Sequence, residues 1–250
     1  MKNVLIAAVL CLSHFALGKE PATQADLEAL VAHAAFEELL ERAEDVPVAA
    51  RKDEWRAAVT RAAAASVSQR PTKEPFSRAA RADALGERYR FLAEQPAFTS
   101  ARDEAVVAGA ALCLEEAEYA PCWKDLARLE STLSPAGSLT LGRLMRKNGF
   151  VPARVAPLFC KAVDKKDAPA CREVDLQDVV LAGLDLPVDE DGARAARLVA
   201  FAQCWSVMQP RVKASLVGAS SYRLRNSCKV MRERKALTEL QADLCTDEGL

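Results

Sequence analysis

The stretch LCLEEAEYAPCW, residues 112–123, places two cysteines on either side of a predicted turn between helices. A second stretch, LFCKAVDKKDAPAC, residues 158–171, repeats this arrangement around a polar turn. In each stretch a proline comes shortly before the second cysteine: Pro121 one residue before Cys122, and Pro169 two residues before Cys171. Proline is tolerated in the first turn of a helix and disfavoured in its interior, so both prolines indicate new helices. The close spacing predicts two disulfides across helix-to-helix turns: Cys113–Cys122 and Cys160–Cys171.

The composition favours helices throughout the chain. Half of the residues are apolar but only 6% are aromatic, because alanine supplies much of the apolar count. Alanine is the strongest helix former, and no segment shows the period-two pattern of a strand. Apolar residues recur at helical spacing from Asp26 to Ala43, which predicts one amphipathic helix there. We therefore expect an all-α fold, either a compact multi-helix domain or an irregular helical-repeat array.

Prolines and polar residues predict where several further helices begin. Pro47 should open a helix that continues to about Ser68, and Pro75 should open another. The segment 100–103, Ser-Ala-Arg-Asp, resembles a capping box ahead of a helix that ends near Cys113. The residues from Gln69 to Glu74 form the best linker candidate.

Residues 1–18 are typical of a cleaved export signal. They combine an early lysine, an apolar run from Val4 to Leu12, and small residues up to Gly18, so cleavage is expected between Gly18 and Lys19. The alternative, a retained membrane anchor, needs about twenty apolar residues, and polar residues interrupt this run sooner. We expect the mature chain, residues 19–250, to be a single soluble domain, with a subdivision near 69–75, in the periplasm or outside the cell.

Cleavage would remove one of the eight cysteines and leave seven, an odd number. Thiols form disulfides in oxidising compartments, so one of the seven cysteines would have no partner within the chain. Our preferred third bridge joins Cys204 to Cys228 and leaves Cys245 as the free thiol. A bridge between Cys228 and Cys245 is a close rival.

The two cysteine stretches are separated by a distance typical of paired-helix repeats. Cys160 follows Cys113 by 47 residues, and Cys171 follows Cys122 by 49. Residues 158–171 resemble the disulfide-linked turn of cysteine-rich Sel1-like helical repeats. The resemblance implies a right-handed solenoid of helix pairs that binds proteins without catalysis. More broadly, the alanine-rich chain resembles uncharacterised exported helical proteins of GC-rich Gram-negative bacteria, which implies no activity.

Residues that could support catalysis are scarce. His33 is the only histidine after residue 18, which leaves one candidate for a triad base or a zinc ligand. The segment from Gly137 to Gly142 lacks the lysine and hydroxyl of a phosphate-binding loop. We therefore predict no catalytic residue, no cofactor and no metal site.

Paired carboxylates are the remaining catalytic candidates. A glycosidase needs two Asp or Glu residues and no histidine, and Glu115, Glu116 and Glu118 lie beside the first cysteine pair. A solvated helix end is the interpretation that we favour for them. The alternative function is therefore a histidine-independent hydrolase that acts on cell-wall or extracellular polysaccharide.

Charge is unevenly distributed although the net charge is only −1. Residues 26–45 carry seven acidic residues and one arginine, whereas 211–235 carry eight basic residues and one glutamate. The basic stretch suits an anionic envelope surface, while export disfavours nucleic acid. We expect an exported binding or structural protein whose partner is another protein or an envelope component. An interaction scaffold and an inhibitor or immunity-type binder both fit this description.

Overall fold

A computed structural model describes residues 21–71, 74–115, 120–164, 168–174, 176–178, 203–204, 206–208 and 210–211. Every regular element within these segments is helical, so the all-α prediction is confirmed. The α-helices are α1 (Gln24–Ala32), α2 (Phe36–Arg42), α3 (Asp53–Gln69), α4 (Ser77–Arg88), α5 (Pro96–Glu115), α6 (Ala120–Glu130), α7 (Pro135–Lys147) and α8 (Pro152–Lys161). Short 3-10 helices cover Ala43–Asp45, Val48–Ala50, Arg90–Glu94 and Pro169–Arg172.

The chain divides into two compact units, and the division lies inside α3. One unit ends at Ala62 and the other begins at Ala63. The subdivision that we expect near residues 69–75 stays a prediction.

The first unit begins with a break that the sequence did not predict. The prediction of a single helix from Asp26 to Ala43 is wrong, because α1 ends at Ala32 and α2 starts at Phe36. Between them Ala34 has a φ of 54°, in the left-handed region that ends helices. The Ala35 N–H then donates to the Leu30 carbonyl, 2.9 Å away, and this bond satisfies an orphan carbonyl of α1.

The side chains of Trp55 and Arg51 stabilise the rest of the first unit by donating hydrogen bonds to backbone carbonyls. The indole N–H of Trp55 donates to the Ala43 carbonyl at 2.9 Å, and Arg51 donates to the Val46 carbonyl at the same distance. The guanidinium of Arg51 also stacks over the Trp55 ring, 5.5 Å from its centroid. The helix predicted to continue to about Ser68 is confirmed as α3, but its predicted start at Pro47 is wrong, because the chain first forms a 3-10 turn and α3 begins only at Asp53.

The second unit contains α4 to α8 and the end of α3. Pro75 does not begin a helix, because Phe76 has a φ of 63° and α4 starts at Ser77. The buried Phe76 lies against Gly109 in α5, where a side chain would collide with the Phe76 backbone nitrogen 2.7 Å away. Glycine at position 109 therefore lets the turn before α4 approach α5 closely.

Helix α5 starts earlier than expected. Pro96 occupies the first turn, so the predicted capping box at Ser100 to Asp103 is wrong and lies within the helix. The Ser100 hydroxyl instead donates to the Glu104 carboxylate at 3.1 Å, one helical turn onward. This leaves Asp103 on the buried side of α5, with 5% of its surface exposed.

The structure contains one of the predicted disulfides and a different second one. Cys113 near the end of α5 is bonded to Cys122 in α6, as predicted. We call this the first bridge. The second bridge joins Cys171 to Cys204, with 5.2 Å between their Cα atoms. The predictions of Cys160–Cys171 and Cys204–Cys228 bridges are therefore wrong.

The physical reason for the second bridge is packing rather than proximity in sequence. Cys171 and Cys204 are both fully buried, and their sulfur atoms are bonded to each other in the core. Cys160 is buried at the end of α8. Closing a loop of 33 residues costs more chain entropy than closing one of 11, so the second bridge forms in spite of its longer loop. Cys228 and Cys245 lie outside the described residues.

Helices α7 and α8 pack closely because a glycine removes a side chain at their contact. A Cβ added at Gly142 would stand 2.8 Å from the Phe159 ring. Phe159 is fully buried, so the ring fills the space above the α7 backbone. At its end, α7 stops in a Schellman motif, in which Gly149 has a φ of 84° and the Phe150 N–H donates to the Met145 carbonyl at 3.1 Å.

Candidate functional site

An open groove of about 680 Å³ lies between α5 and α7 in the second unit. It follows roughly 20 Å of α5, given the rise of 1.5 Å per residue in a helix. Most of the lining side chains are small or apolar. The lining residues are Ala93, Glu94, Pro96, Thr99, Ser100, Asp103, Glu104, Val107, Ala108, Ala111, Ser134, Ala136, Gly137, Thr140 and Leu144.

The floor of the groove is a hydrogen-bonded cluster that joins α5 to the start of α7. The Ser134 N–H donates to Asp103 Oδ1 at 3.2 Å, and the Ser134 hydroxyl donates to Asp103 Oδ2. Ser134 Oγ also accepts from the Gly137 N–H at 3.2 Å and caps α7. Both carboxylate oxygens of Asp103 are therefore engaged, which offsets the burial of its charge.

Glycine at position 137 is required by this cluster. A Cβ there would lie 2.5 Å from Asp103 Cγ and 2.6 Å from Oδ2, closer than real contacts allow. The first turn of α7 can therefore approach α5 only without a side chain at Gly137. The sequence motif between Gly137 and Gly142, which fails as a phosphate-binding loop, serves helix packing in α7.

The loop before Ser134 is held from α5 and α8. Arg102 donates from Nη1 to the Thr132 carbonyl at 3.0 Å and from Nε to Asp83 at 2.9 Å. Lys161 Nζ donates to the Ser131 carbonyl at 2.7 Å, and burial lowers the pKa of Lys161. These bonds fix the loop from both sides, so the start of α7 has a defined position above α5.

The charged side chains of the groove are all acidic. Glu94 and Glu104 are exposed at its rim and Asp103 is buried in its floor. Among the described lining residues none is Lys, Arg or His. The groove therefore combines apolar walls with a negative rim.

None of the described residues that the sequence singled out as candidates for catalysis or for the basic surface lines this groove. His33 is exposed at the end of α1, and Glu115 is exposed at the end of α5. Glu116 and Glu118 lie outside the described residues. Of the basic stretch 211–235 only Arg211 is described, and it donates to Asp178 at 2.7 Å.

Asp103, Ser134 and Gly137 were not predicted as site residues from the sequence. Ser134 followed by Pro135 is a recognisable helix start, with a capping hydroxyl before a proline. Asp103 shares one face of α5 with Val106 and Ala110, which are both buried, and a carboxylate on such a face requires a partner. Only the folded chain reveals that this partner is Ser134, because 31 residues separate them.

In the described part of the chain, no group of three or more His, Cys, Asp and Glu residues is placed to hold a metal ion. No described helix is both long enough and apolar enough to cross a bilayer.

The fold and the groove define an all-helical, disulfide-bonded protein with an apolar, acid-rimmed groove. Comparison with known proteins finds no matching family model, curated protein or solved structure. The likeness to Sel1-like repeats stays a prediction.

Proposed function

We propose that this protein is an exported, non-enzymatic binding protein of the periplasm or extracellular space, and that it holds its partner in the α5–α7 groove. The observation that carries the proposal is the groove itself, 680 Å³ of space with apolar walls. Concave, mostly apolar surfaces with a few polar groups are the usual form of binding sites.

The carboxylates of the groove favour binding over hydrolysis. A glycosidase requires two carboxylates that face the substrate. Asp103 directs both oxygens at Ser134, and Glu94 and Glu104 are exposed, whereas the acid of such a pair needs a desolvated, apolar setting. These bonds give Asp103 a role in holding α7 on α5, which leaves the groove suited to recognition.

Site-specific photo-crosslinking in the native host tests the proposal. A photoreactive residue at Thr140, exposed in the groove, should capture a partner chain. The matched control places the same group at Ala127, which is exposed on α6 and does not line the groove. Capture of the same partner with equal yield from both positions, or from neither, would refute the groove as the binding surface.

The export part of the proposal is tested by the mass of the protein recovered from the host. We expect an N-terminus at Lys19 in the periplasmic or medium fraction. Recovery of uncleaved chain from the cytoplasm would contradict the compartment without bearing on the groove.

A further inference from the structure

We infer that the occupant of the α5–α7 groove is a polypeptide segment that presents apolar side chains to the walls and a lysine or arginine to the rim. This inference rests on the proposed function and specifies its partner. It depends on the sign of the groove's charges and on the size of its lining side chains.

The first argument is charge complementarity. Glu94 and Glu104 stand exposed at the rim, and no described lining residue carries a positive charge. Like charges brought together in an interface are costly, whereas opposite charges select the partner and speed its approach. Anionic lipid and anionic polysaccharide are therefore disfavoured, and a cationic group is favoured.

The carboxylates of Glu94 and Glu104 at the rim can accept further hydrogen bonds. Glu104 receives one hydrogen bond, from Ser100 to Oε1. Neither Glu94 nor Glu104 forms an ion pair within the described residues. An ionised carboxylate has about four lone-pair sites, so each can accept a guanidinium or ammonium group.

The third argument concerns the walls. Ala108 and Ala111 in α5 face the groove together with Ala136 in α7. Small side chains on both walls let a partner backbone approach closely, while Val107 and Leu144 supply apolar surface. A polypeptide segment laid in a groove between helices is a common mode of recognition and uses both features.

The test begins with a displayed library of random twelve-residue peptides selected on the immobilised, purified protein. We expect enrichment of sequences that combine apolar residues with lysine or arginine. Enriched peptides are then measured by fluorescence anisotropy against the wild type, the double variant E94Q/E104Q and E87Q. Glu87 is the matched control, because it is exposed on α4 and does not line the groove.

The double variant should weaken binding about threefold to tenfold at low salt, the effect of two exposed ion pairs. The difference should shrink as salt approaches about 1 M, where the Debye length is roughly 3 Å. The E87Q variant should bind as the wild type does. A136W should abolish binding by filling the groove. The control A127W on α6 should leave binding unchanged, and the two variants should have equal melting temperatures.

The outcomes separate this inference from the proposed function. If A136W blocks binding but E94Q/E104Q does not weaken it, the cationic partner is refuted and the groove remains the binding surface. Binding that survives A136W refutes both. Failure to enrich any peptide refutes the polypeptide partner, while crosslinking in the host still decides the proposed function.

Discussion

Replacing Gly137 with alanine should destabilise the protein by about 3 to 6 kcal/mol. The new Cβ would lie 2.5 Å from Asp103 Cγ and 2.8 Å from Asp103 Cβ, so the buried carboxylate must move. Movement breaks the bonds from Ser134, and hydrogen bonds to charged groups contribute about 1.5 to 3 kcal/mol each. Disturbing the cap of α7 adds roughly 1 kcal/mol, which the better helix propensity of alanine partly offsets.

Gly86→Ala is the matched control for this experiment. Gly86 also lies within a helix, but its nearest neighbour would be Phe98 Cε1 at 3.9 Å, an ordinary contact. This substitution should therefore stabilise α4 by about 0.5 to 1 kcal/mol. The same chemical change should thus move the urea midpoint of unfolding, followed by circular dichroism, in opposite directions at the two positions.

A double-mutant cycle with Asp103→Ala isolates the clash. Removing the carboxylate removes the two nearest atoms to the new methyl group and leaves the residue 103 Cβ at 2.8 Å, so Gly137→Ala should be less destabilising in that background by at least about 1 kcal/mol. The reasoning is refuted if the effect of Gly137→Ala is the same in both backgrounds. It is also refuted if Gly137→Ala proves as mild as Gly86→Ala.

Three further predictions concern the bridges and the helix ends. Replacing both cysteines of the second bridge with serine should lower the unfolding free energy by about 3.7 kcal/mol, and the same change in the first bridge by about 2.6 kcal/mol. The difference arises because the second bridge closes a loop of 33 residues and the first a loop of 9. Equal urea midpoints for the two variants would contradict this. Ala34→Gly should stabilise the protein by about 1 kcal/mol and Gly149→Ala should destabilise it by a similar amount, since both positions have positive φ. Unfolding curves of the two variants that shift in the same direction would refute the strain argument. The pKa of Asp26 is lowered by hydrogen bonds from the Thr23 backbone and hydroxyl. These bonds therefore stabilise the folded protein at pH values above the pKa of Asp26 in the unfolded chain, and this stabilisation is lost as the pH falls through the pKa in the folded protein. Thr23→Ala removes the hydroxyl but keeps the backbone N–H, so it should raise the Asp26 midpoint in part in a carboxyl NMR titration. An unchanged midpoint would refute the contribution of the hydroxyl.

The helical fold could be predicted because it depends on composition and local pattern. Alanine-rich segments with helical spacing specify helices without reference to distant residues. The first bridge was predictable for the same reason, since Cys113 and Cys122 flank a single turn. Helix ends were less predictable where an unusual residue occupies the left-handed conformation, as Ala34 and Phe76 do.

Contacts between distant residues could not be predicted from spacing. The partner of Cys171 is Cys204 because both are buried in the same part of the core, whereas Cys160 is nearer in sequence. The groove likewise depends on Asp103 meeting Ser134 and on Gly137 leaving room for that meeting. Sequence marks each of these residues as a cap, a glycine or an acid, but only the packing of α5 on α7 brings them together.

The clamped loop before α7 has a consequence for the kinetics of recognition. Arg102 and Lys161 hold the loop, and Asp103 holds Ser134, through bonds made entirely within the chain. If the proposed partner docks in this groove, we expect the walls to rearrange little, so that most of the entropy of ordering is lost by the partner. Changes at the acidic rim should then alter the association rate and its salt dependence, whereas changes in the alanine walls should alter residence time.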